Sequence, residues 1–226
     1  MANLVRTAIN TFTHLLHGER YTPTPRAKDS TIHMTSGSFV AIVTNEDHGI
    51  GSGVAISDRI ILTVAHNFNN CSLNKTTLFV PSIKSGIRIK SGSLFPDIDL
   101  AVLETSSSMR VTPARIDTET NLFPGLSVHS HSTVQVDQRN FEESYLKRQF
   151  SLTHRQGDYS FQAVTLGSPS DIFRLKTIHG DSGAGIFNSE GQLLSLVKTS
   201  GGILTPTTGA IRLSYFRNRL RDLGII

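Results

Sequence analysis

Gly180-Asp181-Ser182-Gly183-Ala184-Gly185 runs into Ile186-Phe187 and, after Asn188-Ser189-Glu190-Gly191, into Leu193-Leu194-Ser195-Leu196-Val197. Two short apolar runs joined by a four-residue polar turn predict a β-hairpin. The glycines ahead of it predict a tight bend that lifts the Ser182 side chain clear of the backbone. Gly, Asp and Ser are also the residues ordinary turns favour, so the bend takes on chemical meaning only from residues elsewhere. With a base beside it, Ser182 becomes a nucleophile. The backbone N–H groups of Gly180 and Ser182 can then converge on one point as an oxyanion hole.

A base and an orienting acid are both available upstream. Ile60-Ile61-Leu62-Thr63-Val64 reads as a buried strand that ends at Ala65-His66, with Asn67, Asn69 and Asn70 following. A histidine at the end of a rigid strand is held in place while its ring faces a cleft. For the carboxylate, Pro96-Asp97-Ile98-Asp99 precedes Leu100-Ala101-Val102-Leu103. The acid must be buried against the histidine's second nitrogen, so Asp99, at the opening of the apolar run, is preferred over Asp97, which reads as a solvated turn residue.

These segments resemble the trypsin/chymotrypsin-like superfamily (PA clan) of serine proteases, and within it the HtrA-type, V8-type and viral branches. The order His66, Asp99, Ser182 is that of this lineage. Gly49-Ile50-Gly51-Ser52-Gly53-Val54 and Leu62-Thr63 through His66 resemble the Gly-Ser-Gly and Leu-Thr-x-x-His strands of the HtrA-like group. The resemblance covers about residues 34 to 224. It implies an all-β fold of two six-stranded antiparallel barrels with the triad between them, and a serine endopeptidase that works through an acyl-enzyme. The alternatives are a catalytically weak, protease-like binding module, or a hydrolase of esters.

The resemblance also implies where a substrate side chain is read. The segment before the serine (Lys176, Thr177, His179) and the strand after it (Val197, Lys198) wall the primary pocket. Thr177 resembles the threonine of glutamate- and glutamine-preferring members, but their partner histidine is replaced here by Leu196 or Val197. Lys176 or Lys198 would supply positive charge instead, and an acidic or amide side chain is the expected preference. No Ile-Val-Gly-Gly sequence like that of the digestive members occurs. Asp181 is therefore expected to find another partner, with no zymogen cleavage of that kind.

Composition agrees with one two-lobed domain: 226 residues, 18 Gly, 8 Pro and many short apolar runs between polar turns. Further candidate strands are Phe39-Val40-Ala41-Ile42-Val43, Gly53-Val54-Ala55-Ile56, Thr77-Leu78-Phe79-Val80, Leu126-Ser127-Val128-His129 and Phe161-Gln162-Ala163-Val164. Residues 31–118 are expected to form the first barrel, and residues 119–226 the second with a terminal helix. The crossover between them is expected from Pro113 to Pro124. Residues 1–30 read as an amphipathic helix and a Pro-containing linker through Thr22-Pro23-Thr24-Pro25. That helix packs on the barrel, binds a partner or targets an organelle. Ile211, Leu213, Tyr215, Phe216, Leu220 and Leu223 among four arginines predict a C-terminal amphipathic helix.

A net charge of +4, from 22 basic and 18 acidic residues, is modest. The bases are scattered, with local groups from Lys84 to Lys90 and at Lys147-Arg148. They lack the aromatic interleaving of a single-strand binder, so the expected partner is a peptide and not nucleic acid. The histidines lack a ligand cluster at metal spacing, and no cofactor is expected. The single cysteine, Cys71, excludes an intramolecular disulfide. With no secretory signal and no membrane span in the sequence, the expected location is the cytoplasm or the interior of a host cell.

Overall fold

Strands form where β-branched and aliphatic residues fit a pleated, half-buried surface. The computed structural model describes residues 24–44, 50–80, 83, 86–133, 152–165, 168–200 and 207–226. A helix, α1 (Asp29–Ser36), precedes six strands: β1 (Phe39–Thr44), β2 (Ile50–Ala55), β3 (Ile60–Val64), β4 (Thr76–Phe79), β5 (Ile87–Phe95) and β6 (Leu100–Thr105). They close into an antiparallel barrel in the order β1-β2-β3-β6-β5-β4, sealed by pairing of β1 with β4.

A short strand, β7 (Arg115–Ile116), lies in the crossover. Then come β8 (Ser127–Thr133), β9 (Leu152–Thr165), β10 (Ser168–Arg174), β11 (Gly185–Asn188), β12 (Gln192–Ser200) and β13 (Thr208–Arg212). These make a second barrel in the order β11-β8-β9-β10-β13-β12, closed by the β11–β12 pairing, with β7 added in parallel at the edge of β12. The fold is the two-barrel, all-β architecture expected.

Why β3 and β6 read as unbroken apolar runs is now clear. Ile61, Ala101 and Leu103 face the core of the first barrel with Val40, Ile42 and Leu78. Leu62, Val64 and Leu100 face the other way, onto Phe187, Leu193, Leu196 and Ile211 of the second barrel. Strands buried on both faces lose the alternation of half-exposed ones. This shared core clamps the two barrels together and aligns the ends of β3 and β6 with the loop before β11.

Several local expectations change. The C-terminal helix is short: Ile211 belongs to β13, Leu213–Phe216 is a 3-10 turn, and only α2 (Arg217–Asp222) is α-helical. Residues 29–36, read as linker and barrel edge, form α1. The amphipathic stretch at residues 1–18 and the Lys147-Arg148 group lie outside the described residues.

Helix α1 is docked on the second barrel by a histidine cluster. Thr35 Oγ1 lies 3.1 Å from His129 Nε2 and 2.8 Å from His131 Nε2. His154 and Phe187 complete the group, with His129 stacked on Phe187. Burial pushes His129 down to about 4 and His131 to about 3, with the neighbouring histidines adding to the effect. Unfolded histidines take up protons below about 6.5 while these stay neutral, so the folded state binds fewer protons and stability falls as pH falls. Urea denaturation is expected to show stability declining from about pH 6.5 towards pH 4, and a His129→Gln/His131→Gln variant a flatter profile over that window.

Candidate active site

His66 sits on a 3-10 turn (Ala65–Phe68) that begins where β3 ends. The β3–β6 register pairs Val64 with Leu100, which sets the residues just beyond each strand end side by side. The Ala65 N–H donates to the Asp99 carbonyl at 3.1 Å. Asp99 closes the turn from Pro96 in the left-handed region, φ 56, where Asp is better tolerated than most residues. That conformation turns its carboxylate back onto the histidine. Oδ1 accepts the His66 backbone N–H at 2.9 Å and Oδ2 lies 2.8 Å from Nδ1. A carboxylate in that position puts the proton on Nδ1 and leaves Nε2 as the acceptor. The Asp99 side chain is 13 % exposed and the His66 ring 32 %. Asp97 is solvent-exposed, so Asp99 is the residue brought to His66.

The loop before β11 is shaped by two glycines in the left-handed region, Gly180 at φ 97 and Gly183 at φ 91. Its hydrogen bonds run to both barrels. Within the second barrel, the Gly183 N–H donates to the Val197 carbonyl, and the Val197 N–H donates to the Ala184 carbonyl, each at 2.8 Å. Across the cleft, the Ser52 N–H donates to the Ser182 carbonyl at 2.8 Å, and the Ser52 hydroxyl to the Gly180 carbonyl at 2.8 Å. Asn67 Nδ2, on the residue after His66, also donates to the Ser182 carbonyl, at 3.0 Å. Ser182 is half-buried, and its backbone is thereby tied to the turn that carries His66. Among the described residues no hydrogen bond joins the Ser182 hydroxyl to the His66 ring, and the Gly180 and Ser182 N–H groups donate to no protein acceptor.

Asp181 is buried at 1 % exposure. Its Oδ2 accepts the Ile178 N–H at 2.8 Å. Burial pushes its carboxyl up, opposed by hydrogen bonds from Ser132 and the Ile178 amide and by the charge of Arg155.

The residues expected around a specificity pocket separate into three sets. Lys176 and His179 are exposed. Thr177 is buried and hydrogen-bonded through its hydroxyl to Thr208 Oγ1 at 2.9 Å, and Thr208 donates to the Leu175 carbonyl at 2.5 Å. Val197 and Lys198 are buried, Val197 in the core of the second barrel. Ser52, Thr63, Asn67 and Thr208 were not singled out from sequence. Each acts through a partner distant in sequence or an unmarked hydroxyl; only the Gly-Ser-Gly pattern at 51–53 carried a signal. Among the described residues no group of three or more His, Cys, Asp or Glu side chains is arranged to hold a metal. No helix among them is long and apolar enough to cross a membrane.

A family model described as a trypsin-like peptidase domain matches residues 51–196. No curated protein matches the chain. Among solved structures, the Rv3671c protease from M. tuberculosis in its active form superposes with a TM-score of 0.67 at 16% identity, covering 92% of this chain and 94% of that one. A serine endoprotease from Yersinia pestis gives 0.68 at 18% identity, covering 88% of this chain and 67% of that one. At these identities the likeness is one of fold.

The tightest point of the site is Gly183. A Cβ there would lie 2.0 Å from the Ser52 carbonyl oxygen and 2.2 Å from Thr63 Oγ1, on a backbone at positive φ. Gly183→Ala is expected to lower stability in urea denaturation by about 3 kcal/mol or more. Gly224→Ala shares the positive φ but has nothing within 4 Å, and is expected to lose only about 1 kcal/mol.

Proposed function

Because the chain belongs to the trypsin-like peptidase family of serine proteases, we propose that it is an endopeptidase whose nucleophile is Ser182, whose base is His66 and whose orienting acid is Asp99. The observation that carries this reading is the double hold of the Asp99 carboxylate on His66, at 2.9 Å to the backbone N–H and 2.8 Å to Nδ1. With the proton held on Nδ1, Nε2 is the ring nitrogen left to act as a base.

In this reading His66 Nε2 takes the Ser182 hydroxyl proton as the oxygen attacks a peptide carbonyl. The negative charge that develops on the carbonyl oxygen is met by the Gly180 and Ser182 N–H groups, which no protein acceptor occupies among the described residues. Asp99 balances the imidazolium. His66 then protonates the leaving amine, and water, activated by the same ring, releases the acyl-enzyme.

The hydroxyl pair supports an amide over an acid in the primary pocket. Thr208 has one proton and gives it to the Leu175 carbonyl, so Thr177 must donate to Thr208. The Thr177 oxygen then offers only lone pairs, which suit an N–H donor and repel a carboxylate. A glutamine or asparagine side chain fits this better than glutamate.

Labelling with a fluorophosphonate is expected in the wild type and absent in Ser182→Ala; equal labelling of both would refute the assignment. Asp99→Asn is expected to lower kcat by about 10⁴-fold while the fold is kept. Cleavage profiling on a peptide library is expected to give cuts after amide side chains. Cuts mainly after Arg or Lys would end the pocket reading.

A further inference from the structure

Asn67 reaches from the turn that carries His66 to the backbone of Ser182. Its Nδ2 donates to the Ser182 carbonyl at 3.0 Å and to Thr63 Oγ1 at 3.1 Å. Among the described residues no other hydrogen bond joins the Ala65–Phe68 turn to residues 180–185. Chemistry settles which way the amide is turned. The Ser182 oxygen belongs to a carbonyl and can only accept. Thr63 gives its one hydroxyl proton to the Ser52 carbonyl at 2.6 Å, so its oxygen accepts as well. Two acceptors call for the NH2 end of the amide, and its two protons serve one each.

The Ser182 carbonyl also takes the Ser52 N–H, at 2.8 Å. Both of its lone pairs are thereby used, one by strand β2 and one by the His66 turn. A carbonyl held from two sides fixes the peptide plane after Ser182, and with it the backbone from which the Ser182 side chain projects.

Gly51 leaves the space that this amide fills. A Cβ on Gly51 would lie 2.5 Å from Asn67 Nδ2, 2.7 Å from its Cγ and 2.9 Å from its Oδ1. The backbone of Gly51 lies outside the left-handed region, so the Asn67 amide is the obstacle an added methyl would meet. An alanine there would push the end of a side chain aside and leave the surrounding backbone in place.

We propose that Asn67, seated against Gly51, is a positioning residue that sets the separation of Ser182 and His66 for attack, a role that rests on the assignment of those two residues above. Asn67 acts on the nucleophile through the Ser182 carbonyl and on the base through the chain it shares with His66. It is neutral and makes no hydrogen bond to the His66 ring, whose Nδ1 is held by Asp99. The basicity of the imidazole is therefore left to Asp99, and the pocket around Thr177 and Thr208 is untouched. Misalignment of reacting groups by about 1 Å can cost roughly 100-fold in rate.

The test measures kcat, KM and the pH profile of kcat/KM on the peptide that the wild type cleaves best. Wild type, Asn67→Ala, Gly51→Ala and the double variant are compared, each at a temperature where circular dichroism shows it folded. Asn67→Ala is expected to lower kcat by about 10- to 100-fold, with KM unchanged and the acid limb in place. Gly51→Ala is expected to lower kcat similarly although Asn67 is still present. The double variant is expected to match Asn67→Ala alone, because the two changes disturb one contact. Wild-type kcat in folded Asn67→Ala overturns the proposal and leaves Asn67 a brace of the fold. A raised KM with fixed kcat overturns it too, as does a double variant whose loss is the product of the single losses. If Asn67→Ala does not fold, Gly51→Ala gives the same readout. Full activity in Ser182→Ala would sink the triad assignment and this role with it. An inactive Ser182→Ala beside a fully active Asn67→Ala sinks the positioning role alone.

Discussion

The approach of Ser52 on the first barrel to the serine loop of the second is the contact on which the site depends. Ser52 gives both its N–H and its hydroxyl to that loop, on the carbonyls of Ser182 and Gly180. Thr63 in turn donates to the Ser52 carbonyl at 2.6 Å, and Asn67 reaches both Thr63 and Ser182. Backbone can come this near to backbone only where a side chain is missing, and Gly183 supplies that gap. The apolar core between the barrels, Leu62, Val64 and Leu100 against Phe187, Leu193 and Leu196, holds the two sides at the required separation. Hydrophobic burial sets the distance, and the hydrogen bonds set the register.

Electrostatics then act within that frame. Asp99 occupies a left-handed backbone position that a short polar side chain tolerates, and its two oxygens lock one imidazole tautomer. On the other side of the loop, Asp181 is kept by the Ile178 amide, Ser132 and the charge of Arg155. The serine loop is thus braced from within the folded chain, by groups of β8, β9 and the loop itself. Strand β8 serves twice. His129 and His131 dock α1, while Ser130 and Ser132 alternate with them on the opposite side of the strand, where Ser132 meets Asp181.

How much was legible follows from where the signal lay. Strands β1, β3, β6 and the β11–β12 hairpin are dense apolar runs because both of their faces are buried. Strand β5 was not seen as one: Arg88, Lys90, Ser91 and Ser93 line it, much of it is exposed, and its bases look like a surface charge group. Strand β13 was absorbed into the C-terminal helix because Ile211, Leu213 and Leu220 have helical spacing, although Ile211 and Leu213 are buried by β12 and the barrel interface. Helix α1 has weak local preference and is stabilised by Thr35 against His129 and His131. Propensity yields to tertiary contacts of this sort.

From the amino acids alone came the bend at Gly180–Gly183, the strand ending at His66, the acid opening an apolar run and the two-barrel expectation, because each is written in neighbouring residues. Which groups meet across the cleft was decided only on folding. Ser52 and Gly180 are 128 residues apart, Asn67 and Ser182 are 115 apart, and no local pattern encodes a bond over that distance. The same holds for Lys198: as a letter it reads as surface charge, yet it is buried on β12 where the register slips against β13.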